Sequence, residues 1–386
     1  MTFFENDAAR REAFPVLNSQ LFLAHAGVTI LPRAVADAMI SHVTESCVNH
    51  QEFGDVLKTI AETRALAAKL IDAEADEVAL LGPTSLGLSL FANGIDWNPG
   101  DEVVCYQDDY PSNVYPWMNL QRRGVKLVYI ETERPGAITP SDVARALTPR
   151  TRLVALASCH FLTGYRIDVD AMGRMLHERG ILFSLDAIQT LGAFPTSVRH
   201  VDFLSADAHK WMLGPMAIGI VYVSRRHFQT CRPTLLGAWN VRSPNYVTQD
   251  GIDFVSSAQQ YEPGVLNVAG VCGMRAALKL LLAAGIENIA EQLLTLRARL
   301  LNGLLPLGFE SASPADPTAA SGTLTVRHPG ANASHLMRAL EEAHITASLR
   351  HDRQAQAFLR FSPHFYNTVE EMDRVVEVLG KNIPSA

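Results

Sequence analysis

At 386 residues and 42.2 kDa the chain is long for a single domain and comfortable for two that share a large buried core. Apolar residues make up 48% and charged residues 19%, and 25 glycines with 20 prolines are ordinary, so disordered, collagen-like and low-complexity readings fall. With 33 basic against 40 acidic residues and a net charge of −7, it lacks the positive footprint of a general nucleic-acid binder.

The N-terminus, MTFFENDAARREAF, has no apolar core, so no signal peptide is expected, and no uninterrupted apolar run reaches membrane-spanning length. The five cysteines are scattered and never form a C-x-x-C pair, which argues against a disulfide framework or a zinc site. A cytoplasmic α/β protein is the expectation. In chain order, short apolar runs at residues 78–81, 102–106, 126–130, 152–158, 181–186, 202–206 and 218–223 read as strands. Several are almost continuously apolar, as strands covered on both faces should be. Helices are expected between them at 85–94, 113–123, 141–147 and 168–179, with Ser141 as an N-cap. After about Gly264 the texture changes. Two long helical patterns, 268–284 and 286–304, precede strands near 323–327, 346–350 and 358–362 and helices at 334–343 and 369–379. The pattern predicts a large α/β domain over 18–262, with a mainly parallel seven-stranded sheet sandwiched by helices. A smaller α+β domain is expected over 263–386, joined by the N-terminal segment 1–17.

Several chemistries are missing from the sequence. There is no glycine-rich nucleotide fingerprint, no G-x-S-x-G elbow and no H-E-x-x-H, and the 13 histidines show no tight metal-ligand spacing, so no metal is expected. Two stretches stand out: ILFSLDAIQ at 181–189 and SADAHKWMLGP at 205–215. Asp186 closes an apolar strand, where open α/β sheets place ligands. Lys210 follows another strand and sits among apolar neighbours, a setting that lowers an ammonium's pKa and suits Schiff-base chemistry. Singly, such an aspartate is commonly a helix cap and such a lysine is commonly solvated. Together they are the pair that a pyridoxal phosphate site needs, an amine for the aldehyde and a carboxylate for the ring nitrogen.

SLDAIQTLG…DFLSADAHKWMLGP resembles the class V aminotransferase family of fold-type I pyridoxal phosphate enzymes. That group includes cysteine desulfurases, selenocysteine lyases, kynureninases and isopenicillin N epimerase. The resemblance runs from LFLAHAGVTILP to LRFSPHFYNT, most of the chain. It implies that Lys210 forms the Schiff base and moves the Cα proton, that Asp186 partners the pyridine nitrogen, and that Gln189 meets the phenolic oxygen. It implies ring stacking by Tyr110, where desulfurases carry histidine, and phosphate binding by Thr84, Ser85 and His209. Arg360 resembles the arginine that holds the substrate α-carboxylate, and His25 falls in the family's N-terminal substrate-side loop. A homodimer with shared active sites, and an amino acid as the small-molecule substrate, follow from the same resemblance.

The sequence also departs from the family. Desulfurases place a cysteine shortly before the arginine, whereas residues 350–360 read RHDRQAQAFLR. Asp207 stands where desulfurases have serine, and Val265 where a threonine often reaches the partner's phosphate. A persulfide-forming desulfurase is therefore not expected. Transamination is the first expectation. A thiol-independent C–S, C–Se or Cα–Cβ lyase, an epimerase, and a non-catalytic cofactor-binding scaffold are the alternatives. Arg350 and Arg353 are candidates for a second anionic contact.

Overall fold

In the computed structural model, which describes residues 3–384, the apolar runs become one sheet. After a short strand β1 (Leu21–Phe22), its strands are β2 (Val78–Leu80), β3 (Glu102–Cys105), β4 (Lys126–Tyr129), β5 (Thr151–Ala157), β6 (Leu182–Asp186), β7 (Phe203–Asp207) and β8 (Gly219–Val223). They lie in the order β2-β8-β7-β6-β5-β3-β4. The strands from β4 across to β7 are parallel to their neighbours, and β8 runs antiparallel to both β2 and β7. Every residue of β3, β7 and β8 is buried, as a sheet covered on both faces requires. The edge strand β4 is more open and begins with an exposed Lys126, a charge that discourages further pairing.

The direction of winding reverses between β3 and β5. From β3 the chain moves outward to β4, and from β5 it moves the other way through β6 and β7. The crevice beyond the carboxyl ends of these strands is where such sheets bind ligands. Near the β2 edge, the buried carboxylate of Glu262 accepts from both arms of Arg64 (2.7 and 3.0 Å) and from the Leu80 N–H (2.7 Å). That network fixes the end of β2 just ahead of Gly82.

Four features differ from the sequence reading. Residues 113–123 form two 3₁₀ turns, Pro111–Asn113 and Asn119–Arg123, around a short helix, Tyr115–Met118. Pro116 can open a helix but cannot continue one, so the run is broken. The helix Pro140–Ala146 is capped by Thr139, not Ser141: the Thr139 hydroxyl accepts from the Asp142 N–H at 3.2 Å, and Asp142 reciprocates at 2.8 Å. The expected strand at 346–350 is two strands, β11 (Ile345–Thr346) and β12 (Ser348–His351), because the chain leaves one pairing partner for another. Two long helices, Arg33–Val48 and Phe53–Ile71, were not expected. Ile40, Val43 and Val48 on the first face solvent, which blurs the apolar stripe that marks a helix in sequence.

Toward the C-terminus, strands β9 (Glu310–Ser311), β10 (Leu324–Arg327), β12 and β13 (Ala357–Phe361) form an antiparallel sheet in the order β12-β13-β10-β9. Helices Val268–Ala284 and Ile286–Leu304 lead into it, as read from the sequence. β1 pairs in parallel with β11, and Ala24 bridges to Ser362 just past β13. The segment that leads out of β1 is thereby held between the C-terminal strands and the crevice of the large sheet. Among the described residues, no single helix is long and apolar enough to cross a membrane.

Candidate active site

Five strand ends converge on one cavity of about 500 Å³. Beyond β2, the helix Thr84–Gly94 points its N-terminus into it, and no side chain caps that end. An uncapped helix start offers backbone N–H groups and a positive dipole end to an anion. Thr84 Oγ1 accepts from the Asp207 N–H (2.9 Å), which leaves its hydroxyl proton to donate elsewhere, and Ser85 stands beside it on the cavity wall. Gly82 is required just before them: a Cβ there would lie 2.7 Å from Asp207 Oδ2 and 2.7 Å from the Ile218 nitrogen. His209 lines the same wall and is hydrogen-bonded through Nδ1 to Asp207 Oδ1 at 2.5 Å. The second oxygen of Asp207 is buried without a partner.

Across the cavity, Asp186 closes β6 and Lys210 follows β7, both buried. Asp186 accepts from the Ile188 N–H at 3.1 Å. Burial, reinforced by the nearby carboxylate of Asp109, pushes its pKa up to about 7. Burial pulls the Lys210 ammonium down to about 8, with the charges of Arg360 and Arg350 acting in the same direction and Asp186 opposing. The Lys210 Nζ lies 5.3 Å from the centroid of the Tyr110 ring. Tyr110 stands at the mouth, edge-on to Phe161 (5.5 Å, 68°). Gln189 is fixed at both ends of its amide: Nε2 donates to the Ala26 carbonyl (3.2 Å), and Oε1 accepts from Trp211 Nε1 (3.0 Å).

Arg360 enters from β13 and is 2% exposed. Its Nη1 donates to the Phe161 carbonyl at 2.6 Å, while Nε and Nη2 have no partner among the described residues. A guanidinium so buried and only partly bonded is waiting for an anion. The desolvation, with repulsion from Arg350, lowers its pKa to about 9.

The candidate residues Thr84, Ser85, Tyr110, Asp186, Gln189, His209, Lys210 and Arg360 all line this cavity. His25 does not. It is fully buried, with Nδ1 hydrogen-bonded to the Ser362 carbonyl (2.9 Å) and Nε2 to the Tyr366 hydroxyl (3.1 Å). Its place is structural: it fixes the loop whose Ala24, Ala26 and Gly27 reach the cavity. The sequence reading also missed Phe161 and Asp109. Phe161 follows β5 at the same rim, so the strand-end rule alone could have found it. Asp109 is 8% exposed and accepts from the Tyr110 N–H (2.7 Å), Asn113 Nδ2 (2.9 Å) and the Ala157 N–H (3.2 Å), bonds that no sequence spacing announces. Among the described residues, no cysteine lines the cavity and no grouping of His, Cys, Asp and Glu could hold a metal ion.

The donor set fits pyridoxal phosphate. A buried amine with a lowered pKa, a buried carboxylate, an uncapped helix start with two hydroxyls and an aromatic ring at the mouth answer its aldehyde, ring nitrogen, phosphate and ring face. The chain matches the aminotransferase class-V family over residues 21–375. It belongs to that family. A protein of Methanothermobacter thermautotrophicus described as a probable cysteine desulfurase is 28% identical, with 98% of each chain covered. A Bacillus subtilis protein described as the uncharacterized aminotransferase YcbU is 25% identical, with 97% of each chain covered. The apo structure of a cysteine desulfurase from Thermococcus onnurineus NA1 superimposes with a TM-score of 0.92 at 24% identity over 99% of both chains, which supports the fold.

As a class-V family member, the protein is a pyridoxal phosphate-dependent enzyme. With Lys210 as the amine that meets the aldehyde, cofactor uptake is expected to depend on pH through the lowered pKa of that residue. Only the neutral amine attacks the aldehyde. At pH 7 a group with pKa about 8 is neutral in roughly one molecule in ten, against about one in three thousand for an ordinary lysine. The rate of cofactor uptake by the cofactor-free protein is expected to rise about tenfold per pH unit up to about 8 and then level off. Stopped-flow absorbance checks this; a rate still climbing above pH 9.5 would show an ordinary lysine.

Proposed function

We propose that the protein is a thiol-independent lyase that acts on an α-amino acid, taking the Cα proton on Lys210 and releasing a substituent from Cβ. The observation that carries this reading is a cavity that pairs Lys210 with Arg360 and that no cysteine lines among the described residues, in a chain whose relatives include proteins described as probable cysteine desulfurases. The relatives named as desulfurases support the lyase class, and the missing thiol argues against passing sulfur to a protein cysteine.

Bound pyridoxal phosphate supplies the conjugated electron sink that takes up the electron pair left when a bond at Cα breaks. Thr84, Ser85 and the helix start would hold its phosphate, with His209 on the same wall. Asp186 would keep a proton at the ring nitrogen, and Gln189 would offer its remaining amide N–H to the phenolic oxygen. Tyr110, at the mouth, would cover the open side of the ring and limit the access of water. Arg360 fixes the substrate carboxylate with its free Nε and Nη2, which sets the Cα–H bond toward Lys210. Lys210 Nζ accepts the proton, and its pKa near 8 suits both taking and returning it at neutral pH. In the elimination, the Cβ substituent leaves with its bonding pair and is protonated. Water then hydrolyses the unsaturated amine to a 2-oxo acid and ammonia.

Transamination is the second reading, since it uses the same Lys210 and Arg360 and nothing further. The two separate on products. With cystine and no oxo-acid acceptor, a lyase releases 2-oxo acid and ammonia in equal amounts over many turnovers. A transaminase stops after one equivalent of 2-oxo acid, releases no ammonia, and resumes when a second 2-oxo acid is added. We also read the protein as a cytoplasmic homodimer with active sites shared between subunits. Exposed Ile40, Val43, Val48 and Phe53 on the helices Arg33–Val48 and Phe53–Ile71 support that reading. Val265, exposed and apolar, offers no hydroxyl to a partner's phosphate.

A further inference from the structure

Arg360 is not the only arginine at its end of the cavity. β12 and β13 are antiparallel, with Ser348 opposite Arg360 and Arg350 opposite Phe358. Arg350, two residues on from Ser348, therefore lies on the same face as Arg360, in the diagonal position where long side chains meet. Both tips arrive at Gly27: a Cβ built there would stand 3.4 Å from Arg350 Nη2 and 3.7 Å from Arg360 Nη2. Among the described residues, neither arginine has a donor satisfied by a carboxylate. Arg350 Nε is buried without a partner, as are Arg360 Nε and Nη2. Arg353, the other arginine of this stretch, is spent at the surface on an ion pair with Asp108 and on the Gln107 carbonyl (3.0 Å).

The acidic and basic side chains on the cavity wall are Asp186 against Lys210, His209, Arg350 and Arg360, and His209 is hydrogen-bonded to Asp207. In the reading proposed above, Asp186 and Lys210 are engaged with the cofactor, which leaves two guanidinium groups facing a single α-carboxylate. Like charges held close in a partly desolvated pocket repel, and a substrate with one anionic group would leave one of them uncompensated.

We propose that the amino acid this site takes carries a second anionic group on its side chain, held by Arg350 while Arg360 holds the α-carboxylate. The proposal rests on the Lys210 cofactor reading and names the substrate class within it.

The test uses two pairs of amino acids that differ in side-chain charge at nearly constant shape: aspartate against asparagine and glutamate against glutamine. Binding to the cofactor-loaded protein is followed by the visible spectrum and by calorimetry. For at least one pair, the acid is expected to bind the wild type at least tenfold more tightly than the amide. R350Q is expected to abolish that preference while changing the amide's affinity less than about twofold, and R350K to restore part of it. R360Q is expected to weaken acid and amide together. Equal binding of acid and amide in both pairs overturns the proposal. So does an R350Q variant that weakens both alike, which would mean that the two arginines share one carboxylate. A protein that never turns yellow with pyridoxal phosphate would overturn the cofactor reading instead. Calorimetry would then still read the arginine pair, and a wild type without acid-over-amide preference there would sink this proposal as well.

Discussion

Lys210→Ala is expected to leave a folded protein that develops no yellow band with pyridoxal phosphate and has lost turnover by about 10⁴-fold or more. The size follows from position. Lys210 is 7% exposed, its pKa is already pulled to about 8, and it stands 5.3 Å from the Tyr110 ring centroid inside the cavity. No other lysine lines that cavity among the described residues, so neither the cofactor link nor the proton at Cα has a substitute. The fold should tolerate the change. Removing a buried ammonium relieves its desolvation, and Asp186 keeps its bond from the Ile188 N–H. Circular dichroism and a melting curve within a few degrees of wild type would establish this. A Lys210→Ala protein that stays yellow and active would show that the chemistry lies on another amine.

Arg360→Lys carries the second large effect, on substrate binding. The guanidinium is 2% exposed, one arm is held by the Phe161 carbonyl at 2.6 Å, and the fork formed by Nε and Nη2 is left open. An ammonium cannot present two parallel donors from that position. Losing a buried charge-paired contact costs about 2–5 kcal/mol, so the amino-acid Kd should rise roughly 30- to 5,000-fold. The yellow band of the loaded protein should persist, because the substitution leaves Lys210 and the helix start at Thr84 in place. Amines that lack the carboxylate should bind Arg360→Lys as they bind wild type. Equal weakening for amine and amino acid would identify Arg360 as a structural residue.

Much of this architecture is legible in the sequence because burial on both faces writes strands as apolar runs. Each of the seven central runs became a strand shifted by no more than a residue or two, and the positions of Asp186 at the end of β6 and of Lys210 after β7 were legible as places that line one cavity. What the sequence hides is hidden for physical reasons. A proline in a helical-looking run, as at Pro116, breaks it according to context. A helix with apolar residues on its open side, such as Arg33–Val48, loses the periodicity that would reveal it. His25 sits in a segment that resembles a substrate loop, yet a fully buried imidazole with both nitrogens bonded serves the packing. Asp109 shapes the electrostatics of the site through contacts made only in three dimensions. Arg350 is intermediate. Its presence near Arg360 is plain in the sequence, but that the two share one face and converge on Gly27 comes from the register of β12 on β13.

The central claim is that Lys210 carries the cofactor. Its most direct test is to load the protein with pyridoxal phosphate, reduce it with borohydride, digest it and locate the modified peptide by mass spectrometry. The account predicts a single stoichiometric pyridoxyl adduct on Lys210. An adduct on another lysine, or none on a protein that has turned yellow, would contradict it.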